Sequence, residues 1–195
     1  MCKQQISDNE LVALFIKGDE NALQNLIIRH EKKVYTSIYL LVKDSDLAND
    51  IFQDTFIKVI NTLRNGNYNE EGKFLSWVLR IAHNLTIDHF RGQKRMPMAY
   101  DTEEYSIFDT LPLMDSNIED RIINKQIQSQ VRQLIEKLPF DQKEVVIMRH
   151  YGNMSFKEIA EATNVSINTS LGRMRYAIIN LRKIIQDNSL QLSAD

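Results

Sequence analysis

Apolar residues recur every three or four positions through most of the first 90 residues, which is the spacing of one face of an α-helix. Four helices are predicted there, and the fourth runs from about residue 73 to residue 90. With only six Gly and three Pro in 195 residues, the composition also favours helices. Residues that can cap the first three helices are Ser7 with Glu10, Asp19, and Ser45 or Asp46.

Helical spacing returns at Ile118 and continues until Pro139, which cannot continue a helix. Three shorter helices are predicted after it, beginning at about Gln142, at about Phe156 and after Ser166. The first two starts have capping-box spacing, in Asp141 with Glu144 and in Ser155 with Glu158. The predicted fold is therefore all-α.

An acidic segment separates the two sets of helices. Residues 96–120 contain seven Asp or Glu and no Lys or Arg, whereas 1–95 have 13 basic against 12 acidic residues and 121–195 have 11 against 7. The segment also contains Pro97 and Pro112 and interrupts the helical spacing, as a flexible linker does. We predict two small helical domains, 1–95 and 121–188, joined by the linker 96–120 and followed by a tail, 189–195.

Several classes of protein fit the sequence poorly. Cys2 is the only cysteine, no apolar run approaches the length of a membrane span, and the first ten residues lack the apolar core of a secretion signal. We therefore expect a cytoplasmic protein without membrane insertion. There is no Gly-rich phosphate loop or nucleophile motif, and metal-ligand spacing is missing among the four histidines, so we predict no enzyme, cofactor or metal. The histidines are His30, His83, His89 and His150.

The segment from Ser155 to Lys183 has the form of a helix-turn-helix, in which a short helix is followed, after a turn, by a longer one. Ala160 keeps the first helix small at the crossing, Val165 can fill the turn, and Ser166 can cap the second helix. The spacing predicts that the second helix turns one face inward, comprising Ile167, Leu171, Met174, Ile178, Leu181 and Ile185. It predicts an outward face comprising Thr169, Gly172, Arg173, Tyr176, Asn180 and Lys183.

This predicted outward face carries no acidic residue between Ser166 and Gln186, which is suited to a DNA major groove. Arg173 can contact guanine or phosphate, and Gly172 permits close backbone approach. The alternative is an ordinary solvated helix surface, since Arg and Lys are common there. The predicted DNA contacts are Ser166, Asn168, Thr169, Gly172, Arg173, Arg175, Tyr176 and Lys183.

Trp77 lies at the border between the apolar and polar faces of the fourth predicted helix. A lone tryptophan at helical spacing is most simply half-buried core, but its ring can also stack on an unpaired base. Basic residues follow along the same helix, at Arg80, Arg91, Lys94 and Arg95, where they can contact phosphate.

Three segments in order, DIFQDTFIKVI, GKFLSWVLRIAHNLTIDHFR and the helix-turn-helix, resemble a bacterial RNA polymerase sigma factor of the extracytoplasmic-function (ECF) group. The resemblance implies that residues 1–95 bind core polymerase and open the −10 element, and that 121–188 read the −35 element. It also implies an anti-sigma factor as a further partner. The acidic linker would thread toward the nucleic-acid channels of the polymerase.

The resemblance places Asp50, Ile51, Gln53, Asp54 and Phe56 in the polymerase-binding motif. Burial is favoured for Ile51 and Phe56, which fit the apolar stripe, so the three polar residues are the better contacts. The alternative for Asp54 is an i,i+4 pair with Lys58 on the helix surface. It also assigns a loop and the following helix to −10 recognition. The residues concerned are Tyr68, Lys73, Trp77, Arg80, Asn84, Arg91, Lys94 and Arg95.

Asp88 is expected to pair with Arg91 or Arg95, because a carboxylate repels phosphate. The recognition helix departs from many relatives at Ser170 and Gly172, so their −35 preference cannot be transferred. A competing hypothesis is a stand-alone helix-turn-helix regulator, which would bind symmetric DNA sites as a dimer. That hypothesis leaves the DIFQDTF motif and Trp77 without a role.

Overall fold

The computed structural model describes residues 6–69, 72–93 and 130–187, and these residues form helices and loops with no strand. Seven helices have defined bounds, and residues 130–136 are also helical. The all-α prediction is confirmed. The seven helices are α1 (Asp8–Ile16), α2 (Glu20–Val42), α3 (Ser45–Arg64), α4 (Phe74–Gln93), α5 (Phe140–Gly152), α6 (Phe156–Thr163) and α7 (Ile167–Asp187).

Side chains cap several helix starts as the sequence predicts, but the predicted cap of α3 was wrong: Asp44, and not Ser45 or Asp46, accepts hydrogen bonds from the backbone N–H groups of the first turn. Ser7 with Glu10 and Ser155 with Glu158 both form complete capping boxes, and Asp19 accepts a hydrogen bond from the backbone of Asn21. The prediction that α5 begins at about Gln142, with a capping box of Asp141 and Glu144, was wrong. It begins at Phe140, directly after Pro139, and has no side-chain cap, because the carboxylates of Asp141 and Glu144 contact other helices.

The N-terminal domain is a four-helix unit in which α2 contacts α1, α3 and α4. Apolar faces of all four helices meet in one core, and the hydroxyl of buried Thr55 donates to the carbonyl of Ile51 within α3. The fully buried side chains at its centre are Val12, Leu26, Val34, Val59, Leu63 and Val78. This core fixes α3 and α4 side by side.

The C-terminal domain contains the predicted helix-turn-helix. Helix α6 ends at Thr163 and is followed by its C-cap Asn164, whose backbone is left-handed with φ 55°; α7 begins three residues after Asn164. The backbone N–H of Thr169 donates to Oγ of Ser166 over 3.0 Å, so Ser166 caps α7 as predicted. A small core of Val145, Met148, Met154 and Ile159 joins α5 to this motif.

The prediction of which side of α7 is buried was wrong in part. Ile167, Leu171 and Ile178, expected inside, are 46%, 43% and 43% exposed, whereas Ser170 and Ala177 are fully buried. Helix α7 is rotated about its axis relative to the prediction, because it packs against the rest of the domain through the small side chains of Ser170 and Ala177. As a result Arg173 and Asn180, expected outside, are partly buried and bond to α5.

The two domains pack against each other. Leu40 and Leu41, near the end of α2, share a buried cluster with Ile147 of α5 and Ala177 of α7. Helices α2 and α4 both contact α5. Two domains on an acidic tether were predicted, but the apolar contact between them was not.

Some predictions fall outside the described residues. They are the acidic linker, the C-terminal tail, the domain boundaries near residues 95, 120 and 188, and the DNA contacts Lys94 and Arg95. Within the described helices, none is both long and apolar enough to cross a membrane.

Candidate nucleic-acid interface

The exposed side of α7 is the first candidate surface for DNA. We call Asn168, Gly172, Arg175, Tyr176, Ile179 and Lys183 the outer face of α7; they lie within one half of the helix, and all but partly buried Gly172 are exposed. A Cβ added at Gly172 would meet nothing within 4 Å, so the helix backbone is open to close approach there. The outer face holds most of the predicted −35 contacts.

The charge of this surface is uniform in sign. Arg175, Arg182 and Lys183 are exposed along α7, and its first acidic residue, Asp187, comes at its last position. Ser166 and Thr169 are exposed at the start, where their hydroxyls lie 2.9 Å apart. A basic helix with small polar groups at its N-terminal end can accept phosphates and reach base edges.

Arg173 does not lie on the outer face. Its guanidinium donates to Asp141 over 3.0 Å and to Glu144 over 3.3 Å, and its side chain is 21% exposed. Both acceptors belong to α5, so Arg173 anchors α7 to its own domain. Its predicted position on an outward face was wrong, because the buried side of α7 runs through Ser170 and Ala177. A role in DNA binding for Arg173 stays a prediction.

A cluster of aromatic rings lies at the start of α4. The Trp77 ring is 4.6 Å from the Tyr68 ring and 5.8 Å from the Phe74 ring, measured between centroids. Phe74 is buried, whereas Tyr68 and Trp77 are half-buried. The prediction of a half-buried Trp77 is therefore confirmed. Two partly exposed rings side by side can stack on bases that have left a duplex.

The remaining predicted −10 residues extend along α4. Asn84 and Arg91 are exposed, and Arg80 is partly buried. Arg91 lies 3.9 Å from Asp88, which confirms the predicted helix pair. The Nζ of Lys73 donates to Oε1 of Glu158 in the C-terminal domain over 2.8 Å.

This contact changes the acidity of Glu158. Burial alone would raise the pKa of its carboxyl, but hydrogen bonds from Lys73 and Ser155 outweigh burial and lower the pKa to about 2. Glu158 therefore remains ionised across the physiological range. The charged pair joins the start of α4 to the helix-turn-helix.

The segment that is predicted to bind polymerase lies on α3, and its members divide into exposed and buried residues as expected. Asp50, Gln53 and Asp54 are exposed, whereas Ile51 and Phe56 are 4% and 6% exposed and belong to the core. Ile57, next to this polar row, is also exposed. The exposed part of the motif is an acidic surface with one aliphatic side chain beside it, which can bind a basic partner.

His83 was given no role by the sequence, and Glu144 was expected only to complete a capping box with Asp141. Their Nε2 and Oε1 atoms lie 2.6 Å apart between α4 and α5, and both side chains are 6% exposed. Ser76 donates from its Oγ to the carbonyl of Gly152 over 2.9 Å, close by. The only sequence signal is the row Ser76, Leu79, His83 and Thr86, which places polar groups at helical spacing on a buried side of α4.

Comparison with known protein families gives one match in each half of the chain. The family "Sigma-70 region 2" matches residues 26–96, and "Sigma-70, region 4" matches residues 128–170. The first segment contains α3 and α4, and the second contains α5, α6 and the first four residues of α7.

Full-length relatives agree. The ECF RNA polymerase sigma factor SigW of Bacillus subtilis is 28% identical over 177 residues, which are 88% of this chain and 92% of that protein. The RNA polymerase sigma-H factor of Pseudomonas aeruginosa is 29% identical over 191 residues, covering 96% and 95%. The ECF sigma-E factor of Escherichia coli K12 is 28% identical over 192 residues, covering 96% of each.

Two solved structures share the fold. CnrH in complex with the cytosolic domain of CnrY has a TM-score of 0.62 at 20% identity and covers 93% of this chain and 99% of that one. RpoE in complex with the anti-sigma factor NepR from Bartonella quintana has a TM-score of 0.61 at 16% identity, covering 84% and 96%. With both sigma-70 regions present in order and the whole-length relatives all sigma factors, the chain belongs to the ECF group of the sigma-70 family.

Proposed function

We propose that this sigma factor binds core RNA polymerase through the exposed residues of α3 and directs it to promoters through α4 and α7. The observation that supports this most is that the acidic surface of α3 and the basic outer face of α7 occur in one chain. The resemblance assigns this part of α3 to polymerase binding, and its polar residues Asp50, Gln53 and Asp54 are exposed where a partner can reach them.

For the −35 element, the outer face of α7 would enter the major groove. Arg175 can bond bidentately to guanine or to phosphate, and Asn168, near the helix start, can pair with adenine. Lys183, four turns further on, is placed for a phosphate. Tyr176 is 62% exposed, so its hydroxyl can reach the sugar–phosphate backbone.

For the −10 element, the aromatic cluster of Tyr68 and Trp77 would receive an unstacked base. Base stacking on an aromatic ring contributes about 1–3 kcal/mol per base, which is comparable to the cost of unstacking a base pair step. Arg80 and Arg91 would hold the adjacent phosphates, together with Lys94 and Arg95.

We propose an anti-sigma factor as the regulatory partner. CnrH and RpoE, which share this fold, were each solved in complex with a partner protein, CnrY and NepR. The chain itself carries out no covalent chemistry in this proposal, and it needs no cofactor or metal. Its place of action is the cytoplasm, where polymerase and chromosomal DNA are found.

The experiment is reconstitution of the full chain with core polymerase, followed by runoff transcription from promoters that DNA mapping in cells identifies. We expect a stable holoenzyme and transcripts that depend on both promoter elements. Tight binding to palindromic DNA by a dimer, with neither polymerase binding nor transcription, would support the stand-alone regulator instead. Asp54→Lys, which changes the acidic surface of α3, serves as a control, because it should weaken holoenzyme formation and keep the fold.

A further inference from the structure

Asp8, the first residue of α1, joins that helix to α2. One oxygen of its carboxylate accepts from Nη1 of Arg29 over 2.6 Å, and the other lies 2.7 Å from Nε2 of His30. Arg29 also donates from Nη2 to the backbone carbonyl of Ile6, just before α1, over 2.8 Å. Two consecutive residues of α2 therefore hold the start of α1 in place.

The imidazole of His30 is buried, and its two nitrogens have different surroundings. The residue is 7% exposed, and its Nδ1 atom has no hydrogen-bond partner among the described residues. Burial lowers the pKa of His30, with the charge of Asp8 acting in the opposite direction, so the ring is neutral at pH 7. A carboxylate only accepts hydrogen bonds, so the single ring proton lies on Nε2 and is donated to Asp8. This bond fixes the orientation of the ring.

The His30 ring packs against the aromatic cluster at the start of α4. Its centroid lies 5.7 Å from that of Phe74, with the two planes tilted by 42°. Phe74 is 1% exposed, and its ring lies 6.2 Å from Tyr68 and 5.8 Å from Trp77. Phe74 thus contacts both His30 and the two half-buried rings that are proposed to receive a base. In a densely packed core, a shift of one side chain is transmitted to its neighbours.

The chain segment before α4 also meets the start of α1. Gly72 has a left-handed backbone, with φ 70°, and a Cβ added there would lie 3.6 Å from Nδ2 of Asn9, the residue after Asp8. Tyr68, like Gly72, lies between α3 and α4. The start of α1 therefore supports the aromatic cluster by two routes, through the imidazole ring of α2 and through the backbone at Gly72.

A histidine at this buried position is unfavourable for stability alone. Its Nδ1 atom loses water without gaining a partner, whereas a leucine or phenylalanine would fill the space with no polar atom left over. What His30 provides is a directional bond to Asp8 that sets the angle of a ring packed on Phe74. Natural sequences depart from good core packing mainly where function requires it.

We propose that Asp8 and His30 are positioning residues for −10 recognition, which hold Phe74 where Tyr68 and Trp77 can receive an unstacked base. This inference rests on the proposed function. Neither Asp8 nor His30 touches DNA, and both act through Phe74. Helix α1, which carries none of the predicted contacts, thereby becomes part of the −10 machinery.

Trp77 is the only tryptophan in the chain, so its fluorescence reports the cluster directly. In the full chain without DNA, Asp8→Ala should shift the emission to longer wavelength and increase quenching by acrylamide, because rings that lose their support admit water. The matched control is Glu20→Ala. Glu20 is also the first residue of its helix and accepts from an arginine, Arg64, over 3.0 Å, but this pair is exposed. The control should leave the emission unchanged.

His30→Gln separates positioning from simple anchoring of α1. The side-chain amide of glutamine can still donate to Asp8, so the anchor is kept, but the ring that packs on Phe74 is gone. We expect this variant to shift the Trp77 emission as Asp8→Ala does. Asp8→Asn keeps an acceptor oxygen for His30 and should retain the emission of the unchanged protein. If circular dichroism shows that Asp8→Ala is unfolded, His30→Gln still decides the question.

The functional measurement is binding of the holoenzyme to a fluorescent single-stranded oligonucleotide that carries the −10 element of a mapped promoter. Asp8→Ala and His30→Gln should weaken binding about fivefold, because part of the stacking of one base is lost. Abasic sites placed in turn across the element identify the captured base. Removing that base should weaken binding less in the two variants than in the unchanged protein. Affinities for core polymerase and for −35 duplex DNA should stay the same.

The proposal is wrong if folded Asp8→Ala and His30→Gln bind the −10 strand as tightly as the unchanged protein, or if Glu20→Ala weakens binding equally. Equal losses of −10, −35 and polymerase binding would indicate a general loss of structure and would also overturn it. If the unchanged holoenzyme does not bind the −10 strand, the proposed function fails. The Trp77 emission then still decides whether Asp8 and His30 hold the rings.

Discussion

Arg173 of the recognition helix donates a hydrogen bond to Asp141 of α5 over 3.0 Å. The same guanidinium reaches the buried Glu144, so one side chain joins two carboxylates that lie on consecutive turns of α5. An arginine in this position orients α7 relative to its supporting helix. Its effect on DNA binding would then arise through the angle at which the outer face is presented.

Arg173→Ala is therefore expected to lower stability. We expect a loss of about 1–3 kcal/mol in the free energy of unfolding, because a hydrogen bond to a charged group is lost and Glu144 stays buried. Urea denaturation followed by circular dichroism measures it. Arg175→Ala is the matched control, since Arg175 is exposed and should change stability by no more than about 0.5 kcal/mol. Equal losses for the two variants would contradict the anchoring role.

Arg175→Ala is expected to weaken −35 binding by about 1–3 kcal/mol if its guanidinium reads a base. If Arg175 contacts phosphate instead, the loss is similar for all sequences and the salt dependence of binding becomes shallower. Binding to −35 duplexes at several salt concentrations separates these cases. Affinity for core polymerase should not change, and a decrease there would mean that α7 has another partner.

Trp77→Ala is expected to impair promoter opening more than initial promoter binding, because the ring assists base unstacking. Permanganate reactivity of unpaired thymines reports opening, and a gel-shift assay with the holoenzyme reports binding. Trp77→Phe should retain much of the opening, since it keeps an aromatic face. Leu75→Ala removes a partly buried apolar side chain from the same helix and controls for lost packing. If Trp77→Ala and Leu75→Ala impair promoter opening equally, the role of Trp77 is in packing and not in base unstacking.

Asp54→Lys is expected to weaken binding to core polymerase by about five- to tenfold, mainly through slower association, because the acidic surface of α3 loses its attraction for a basic partner. Stopped-flow mixing at low and high salt measures the association rate. Glu161→Lys makes the same charge change on an exposed part of α6. An equal decrease in both variants would indicate a general effect of net charge.

Lys143 provides a prediction about pH. Burial, with a smaller contribution from the positive charge of Lys43, lowers the pKa of Lys143 to about 8, although Glu136 acts in the opposite direction. The unfolded chain binds this proton more tightly, so stability should rise as pH increases from about 8 to about 10.5. Below pH 8 the penalty for burying the charge is constant.

Lys143→Met should therefore be more stable than the unchanged protein at pH 7, by roughly 1–3 kcal/mol, since it keeps the side-chain length without the charge. Its advantage should shrink as pH rises from about 8 to about 10.5. Thermal melting of both proteins across this range gives the difference. Lys137→Met, at an exposed position nearby, should show no such trend. A pH-independent advantage for Lys143→Met would mean that the ammonium group is hydrated in the folded protein.

The sequence predicted the helices well because their ends depend on local chemistry. A serine followed three residues later by glutamate forms the same two hydrogen bonds in any fold, as at Ser7 and Ser155. The predicted start of α5 was wrong because contacts from distant parts of the chain replaced the local ones. Asp141 and Glu144 have the spacing of a capping box, but Arg173 and His83, distant in the chain, bind their carboxylates.

The orientation of α7 could not be predicted from periodicity. Hydropathy favours burying Ile167, Leu171 and Ile178, yet the helix crosses its neighbours at Ser170 and Ala177 because small side chains permit closer contact. The contact between the two domains could not be predicted from the sequence either, since nothing in the local sequence distinguishes His83 from a histidine on a solvated surface. Within the candidate sites, burial was predicted best on α3, where Asp50 and Asp54 are exposed and Ile51 is buried as expected.

Gly152 gives the domain contact a further property. A glycine codon becomes an alanine codon through one nucleotide change, and the added methyl group would already lie 2.9 Å from Leu79. The fit between the two domains can therefore be disturbed by the smallest available mutation without altering any residue proposed to touch DNA or polymerase.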